Sequence, residues 1–330
     1  GKEGMTVPRK KAEPQEAASI EEDFARLEGI MLLLVLCGAL LQKKQVITPE
    51  GQSCLTDLLM DVILPSNIFL SLPKEMDWAT MKNFLVAIVL SVAVMLGSTA
   101  LGLLCYGRCQ EREKKVFRYG LINSNALFIG LPVVQSLLGA PGVAQLNMYM
   151  LFVRLYCWSY GLSLYTGVKS DWRSSVRRLL LHPCMIATGL GLLVMVTEWP
   201  VPAVLTETAE YFSSCLMALS MLLIGAVLSH IRWREFFRPD VWGFTLLRLG
   251  VLPGAVLLAC VLFRVPYVVT ATCTLLSGMP AASLTAVLAA RYRGDEELGS
   301  ALVAISTVLS AITIPLWFFA LEALERTAIL

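Results

Sequence analysis

Gly120-Leu-Ile-Asn-Ser-Asn-Ala-Leu-Phe-Ile-Gly-Leu-Pro-Val-Val-Gln135 places polar side chains, a glycine and a proline inside an otherwise apolar run. A second run, Thr272-Cys-Thr-Leu-Leu-Ser-Gly-Met-Pro-Ala-Ala-Ser-Leu-Thr285, does the same. Proline has no N–H, so within a helix each leaves the carbonyl four residues back without its partner. Those carbonyls belong to Phe128 and Leu276. Around both interruptions charge nearly vanishes. From Tyr119 to Val168 the only charged side chain is Arg154, and from Val241 to Ala290 the only ones are Arg248 and Arg264. On a soluble surface such stretches would expose wide apolar area. They read as membrane spans, where irregular backbone survives only under cover of protein or water.

Composition agrees with this reading. The chain has 330 residues, of which 56% are apolar and 16% charged, with a mean hydropathy of +0.68. Soluble domains carry about 25% charged residues. A soluble globule, a disordered chain and a disulfide scaffold are excluded together. The net charge of +2 is spread in short clusters between apolar segments, so no basic stripe offers itself to nucleic acid. Most of the nine cysteines lie inside apolar segments and read as small buried hydrophobes. No His joins Cys105 and Cys109, so no zinc site is expected there. No nucleotide-binding motif is present either, so no cofactor is expected and ATP does not drive the protein directly.

A helix needs about 20 apolar residues to cross a bilayer. Ten segments qualify: 24–41, 54–72, 83–106, 117–138, 143–165, 179–197, 203–229, 241–262, 266–290 and 297–321. The first is weak because its apolar run covers only Gly29 to Leu41, and the second because it carries Asp57, Asp61, Pro65 and Asn67. Loop charges support all ten. With alternate loops on alternate faces, one face holds sixteen Lys and Arg and the other nine, or four without the N-terminal segment. The positive-inside rule then makes this a multi-pass cell-membrane protein with both termini extracytoplasmic.

Pro132 and Pro280 lie 148 residues apart, and shifting the first five spans by that offset overlays them on the last five. Five spans per half is odd, so the halves face opposite ways, as in inverted-repeat transporters. The chain divides into a polar N-terminal tail (1–23), a first five-helix repeat (24–165), a cytoplasmic linker (166–178), a second repeat (179–322) and a short C-terminal tail (323–330). The fold class is an all-α integral membrane protein of ten transmembrane helices in two inverted five-helix repeats. In such folds broken helices aim half-helix N-termini at an anion.

The stretch Asn125-Ala-Leu-Phe-Ile-Gly-Leu-Pro132 resembles the Asn-x-Gly-Phe-x-Gly-x-Pro motif of the auxin efflux carrier family. Gly278-Met-Pro-Ala-Ala-Ser, with Ala289-Ala-Arg-Tyr-Arg-Gly-Asp295, is similar to that family's ninth span. Ser300-Ala-Leu-Val-Ala-Ile-Ser-Thr-Val-Leu-Ser and Ile314-Pro-Leu resemble its tenth, and Ile63-Leu-Pro-Ser-Asn-Ile-Phe-Leu-Ser-Leu72 its second. The family includes plant auxin carriers and bacterial permeases described as malate or malonate carriers. The resemblance implies ten helices divided into a scaffold part and a transport part. It also implies that the fourth and ninth helices cross at Pro132 and Pro280, with Asn125 at the site. Leu127 departs from the family, which often has Gly there, and would narrow the pocket. No long polar loop separates spans 5 and 6, which points to a short, prokaryote-like form.

The candidate substrate residues at the breaks are Asn125, Phe128, Gly130, Pro132, Ser277, Gly278, Pro280 and Ser283, with Asn67 deeper in the second span. Arg154 lies near the middle of the fifth span, where a charge costs at least about 2.5 kcal/mol. It either grips a substrate carboxylate bidentately or serves a structural ion pair or carbonyl clamp. Arg248, nearer a span end, is expected to extend outward along its own stem. Asp61 either carries a coupling H⁺ or Na⁺ or reaches the interface. The expected function is secondary transport (a permease or efflux carrier) of a small organic anion, mono- or dicarboxylate, by alternating access. Spans 3–5 and 8–10 form the transport part; spans 1, 2, 6 and 7 form the scaffold and a candidate homodimer contact. The alternatives are an Na⁺- or H⁺-coupled antiporter of similar architecture and a membrane sensor that binds the ligand without moving it. An enzyme is not expected, since no His or second acid at membrane depth could activate Ser277. The charge asymmetry predicts that a cysteine introduced at Ser174 is modified by impermeant maleimide from the cytoplasm alone; labelling from outside intact cells would reverse the orientation.

Overall fold

The computed structural model describes residues 14–72, 78–167, 173, 176–177, 180–229 and 238–327. The first 13 residues, most of the 166–178 linker, and the loop with His230, Arg232 and Arg234 lie outside them. Among the described residues every named element is a helix, and the one strand-like pairing is an isolated bridge between Ser124 and Ala281.

The helices are α1 (Pro14–Lys43), α2 (Glu50–Ser71), α3 (Trp78–Cys105), α4 (Glu111–Ile122), α5 (Ala126–Thr166) and α6 (Pro183–Thr197). They continue with α7 (Ala203–Leu228), α8 (Pro239–Leu262), α9 (Tyr267–Ser277), α10 (Leu284–Arg291) and α11 (Glu296–Arg326). α1 thus starts at Pro14, inside the stretch read as tail. Six helices are long and apolar enough to cross a membrane: α2, α3, α5, α7, α8 and α11. Shorter apolar helices cover Gly29–Lys43, Pro183–Thr197 and Tyr267–Ser277.

The difference from the sequence segmentation is geometric. α5 is two helices folded at a kink, because Gly139 adopts φ 63°, ψ −158°, a conformation open essentially to glycine alone. The kink, followed by Pro141, falls between the segments 117–138 and 143–165. The ninth segment is cut into α9 and α10.

Large apolar side chains face outward where a soluble protein would place polar ones, among them Leu33, Leu104, Leu181, Leu262 and Phe263. α3 illustrates the cause: apart from Lys82 it carries no charge, and a helix apolar on all sides is stable only in lipid or a large core. Inside, α1 and α7 approach backbone to backbone. A Cβ on Gly38 would collide with Leu222, and one on Gly225 with Val35 and Ala39. Small residues at such contacts let membrane helices pack without a hydrophobic driving force between them.

Candidate substrate site at a helix crossing

Both interruptions become breaks in the backbone, and the breaks meet. α4 ends at Ile122, and Asn123 is extended at φ −108°, ψ 103°. α9 ends at Ser277, and regular helix resumes at Leu284. Between them the Asn125 N–H donates to the Pro280 carbonyl at 2.8 Å, and the Ala282 N–H donates to the Asn123 carbonyl at 3.1 Å. Each extended segment therefore satisfies backbone groups of the other that lipid could not satisfy. α11 adds a third tie, since the Ala281 N–H donates to Ser306 Oγ at 3.1 Å.

Pro280 lies in the crossing; Pro132 does not. The first chain crosses at Asn123–Asn125, and Pro132 sits in the first turn of the helix that resumes at Leu131 after a π turn over Ala126–Gly130. The break falls earlier because Asn and Ser side chains compete for nearby backbone groups and disfavour helix interiors. Leu276 is not left with a free carbonyl, because the Met279 N–H takes it at 3.3 Å.

Arg248 completes the crossing and overturns the expectation that it reaches outward. It is 1% exposed. Its Nε donates to the Met279 carbonyl at 2.9 Å and its Nη1 to the Leu121 carbonyl at 2.6 Å. Leu121 is in the last turn of α4, and Met279 follows the C-terminus of α9. The guanidinium thus joins the carbonyl ends, the negative ends of the dipoles, of both interrupted helices. A π turn over Leu247–Val251 presents it; such turns reorient side chains and recur at functional sites. Nearby, Asn123 Nδ2 donates to the Tyr119 hydroxyl at 2.9 Å, and Tyr165 Oη donates to the Thr285 carbonyl at 3.3 Å.

The other sequence candidates divide into two groups. Asn125, Gly130, Pro132, Ser277, Gly278 and Pro280 are buried at or beside the crossing, while Phe128 and Ser283 are half-buried. A Cβ on Gly130 would lie 3.0 Å from Leu276, so this glycine lets the half-helices close on each other. Ser277 turns back on its own helix, donating to the Thr274 carbonyl at 2.8 Å. The remaining three sit elsewhere. Asn67 Nδ2 donates to Gln135 Oε1 at 2.9 Å and to Ser213 Oγ at 2.8 Å, tying α2 to α5 and α7. Arg154 faces α6, with Nη1 3.6 Å from Met185 Sδ. Asp61 is exposed on a π turn over Leu59–Ile63.

A cavity of about 510 Å³ lies beside the crossing. It is lined by Val35 of α1, Ile129 and Val133 of α5, Ile224 of α7, and Thr307 and Ile314 of α11. Its hydroxyls point away from it in bonding terms. Thr307 donates to the Val303 carbonyl at 2.6 Å and Ser310 to the Thr307 carbonyl at 2.7 Å, which leaves a lining of carbon.

Residues 30–318 match a family described as membrane transport protein. The chain belongs to the membrane transport protein family. It is the family, with its auxin efflux carriers, that the motifs ending at Pro132 and Pro280 resemble. An uncharacterized transporter of Methanothermobacter thermautotrophicus is 29% identical over 299 residues, covering 87% of this chain and 95% of the relative. An uncharacterized transporter of Methanocaldococcus jannaschii is 25% identical over 310 residues, covering 87% and 96%. The coarse function of this membrane transport protein is therefore movement of a solute across a membrane.

Arg248 is the residue of the crossing that sequence reasoning directed outward, although a signal for its place existed. Two helix breaks without an acid or a base of their own need a cation from a neighbour, and Arg248 is the cation of the adjacent span. Arg248→Met should leave two buried carbonyls unpaired, at about 1–3 kcal/mol each. Thermal unfolding in detergent should shift down accordingly, with Arg248→Lys falling between. An unchanged transition in Arg248→Met would contradict the clamp.

Proposed function

We propose that the protein is a secondary transporter of small organic monocarboxylates, working by alternating access at the crossing. The observation that carries the reading is the hydrogen-bonded meeting of two interrupted helices beside an apolar cavity. With Arg248 on the negative ends of α4 and α9, the opposite ends, at Ala126 of α5 and Leu284 of α10, keep their positive character. A carboxylate fits there, and the N–H groups in the first turn of α5 supply its donors. The backbone of Asn125 is committed to the crossing, so its side-chain amide is the polar group left to serve the ligand. The carbon-lined cavity suits an apolar body attached to the carboxylate. A single-charged ligand is favoured over a malate-like one, because Arg154 makes none of the crossing's hydrogen bonds.

The wider reading has ten spans in two inverted five-helix repeats, with both termini outside. α3, α4, α5 and α8–α11 form the moving part, and α1, α2, α6 and α7 form the scaffold and a homodimer contact. No cofactor is involved. Asp61, at the surface of α2, is the acid to test for coupling to H⁺ or Na⁺. The cavity's position supports the division, since it lies between α1 and α7 on one side and α5 and α11 on the other.

Counterflow of radiolabelled monocarboxylates from acetate to octanoate in proteoliposomes tests this. Affinity should rise with chain length, by up to about 0.8 kcal/mol per buried methylene. Asn125→Ala should weaken binding by about 1–3 kcal/mol without unfolding the protein. Binding without counterflow would make the protein a sensor; affinity unchanged in Asn125→Ala would remove that residue from the site.

A further inference from the structure

Two arginines are buried in the spans, and their situations differ. Arg248 is bonded to carbonyls. Arg154 is 5% exposed, yet its Nε and Nη2 have no partner, and Nη1 reaches only the weak acceptor Met185 Sδ. None of the salt bridges among the described residues includes it. A guanidinium carries five donors, stays charged, and is costly at membrane depth unless an acceptor or water reaches it. Arg154 therefore keeps donors that the described residues leave unused.

We propose that Arg154 is a second anion subsite, in the half of the transport path that is closed in this structure. The inference rests on the transporter reading above. The open cavity is lined by α1, α7, the first part of α5 and α11; no residue of α2, α6 or the second part of α5 lines it. Under the 148-residue offset, α1 and α7 correspond to α6 and α2, and α11 to the second part of α5. Arg154 faces the counterpart seam. That seam is shut: Asn147 Nδ2, from the second part of α5, donates to Ser71 Oγ of α2 at 3.0 Å with both residues buried, and Cys184 of α6 is fully buried. The charged and titratable neighbours there are His182 and Cys184, with Asp61 beyond them. In an inverted-repeat carrier the two seams open in alternation. When this one opens, Arg154 meets the incoming water and the ligand's carboxylate, which its planar fork can hold bidentately.

Cys184 is a native reporter beside Arg154. Wild-type proteoliposomes would be treated during octanoate counterflow with anionic sulfonatoethyl or cationic trimethylammonioethyl methanethiosulfonate. Modification of Cys184 would be read by peptide mass spectrometry. We expect Cys184 to react, and the anionic reagent to be faster by about tenfold or more, the scale on which a charged cleft concentrates counter-ions. Arg154→Gln should abolish that preference and Arg154→Lys should keep it. Octanoate counterflow with Cys184 unreactive to both reagents would overturn the subsite and leave the transporter reading standing. So would an anion preference unchanged in Arg154→Gln. Absence of counterflow for every carboxylate would overturn the transporter reading and the subsite with it.

Discussion

One guanidinium, that of Arg248, touches carbonyls from both halves of the chain, at Leu121 and at Met279. Two helices that end inside a membrane each leave carbonyls without partners, and lipid offers none. Here the two ends lie together and share one cation. The arrangement explains why α8 carries a buried charge in an otherwise apolar helix, and why a π turn interrupts α8 at that residue. It also explains why the extended segments can pair with each other through Asn125 and Pro280 instead of returning to helix.

The same arrangement separates charge. Negative helix ends are neutralised by protein, whereas no side chain caps the N-terminus of α5 or of α10. Beside the start of α5 lies a cavity whose hydroxyls are occupied by their own helix backbones. In the proposed reading, an apolar wall next to the uncapped start of α5 suits an amphipathic anion. The glycines serve the same end at closer range: Gly130 brings the first half-helix against Leu276, and Gly38 and Gly225 bring α1 onto α7 along the cavity's other wall.

The membrane class and the two breaks were legible because low charge and mid-span proline act through the sequence directly. The membrane transport family followed from the same motifs. Azimuth was not legible. Position along a span says how deep a cation lies but not which neighbour it faces, and one residue inserted by a π turn swings every later side chain by roughly 100°. That is why the carbonyl clamp considered for Arg154 belongs to Arg248, while Arg154 lies buried against α6. The crossing point moved for a related reason. The polar Asn123–Asn125 stretch marks the break, and Pro132 lies inside α5, in the turn after its π turn. Ser277 looked available from its place beside Gly278, but a serine near a helix end commonly bonds its own backbone, and this one does.

The central claim is that the crossing of Asn123–Asn125 with Pro280–Ala282 is where substrate binds. An electron cryomicroscopy map of the protein saturated with octanoate tests it most directly. The account predicts α4 and α9 broken where they are here, the carboxylate within hydrogen-bond distance of the Asn125 amide, and the alkyl chain along Ile129 and Val133. Continuous helix through residues 119–138, or octanoate bound only at the lipid-facing surface, would contradict it.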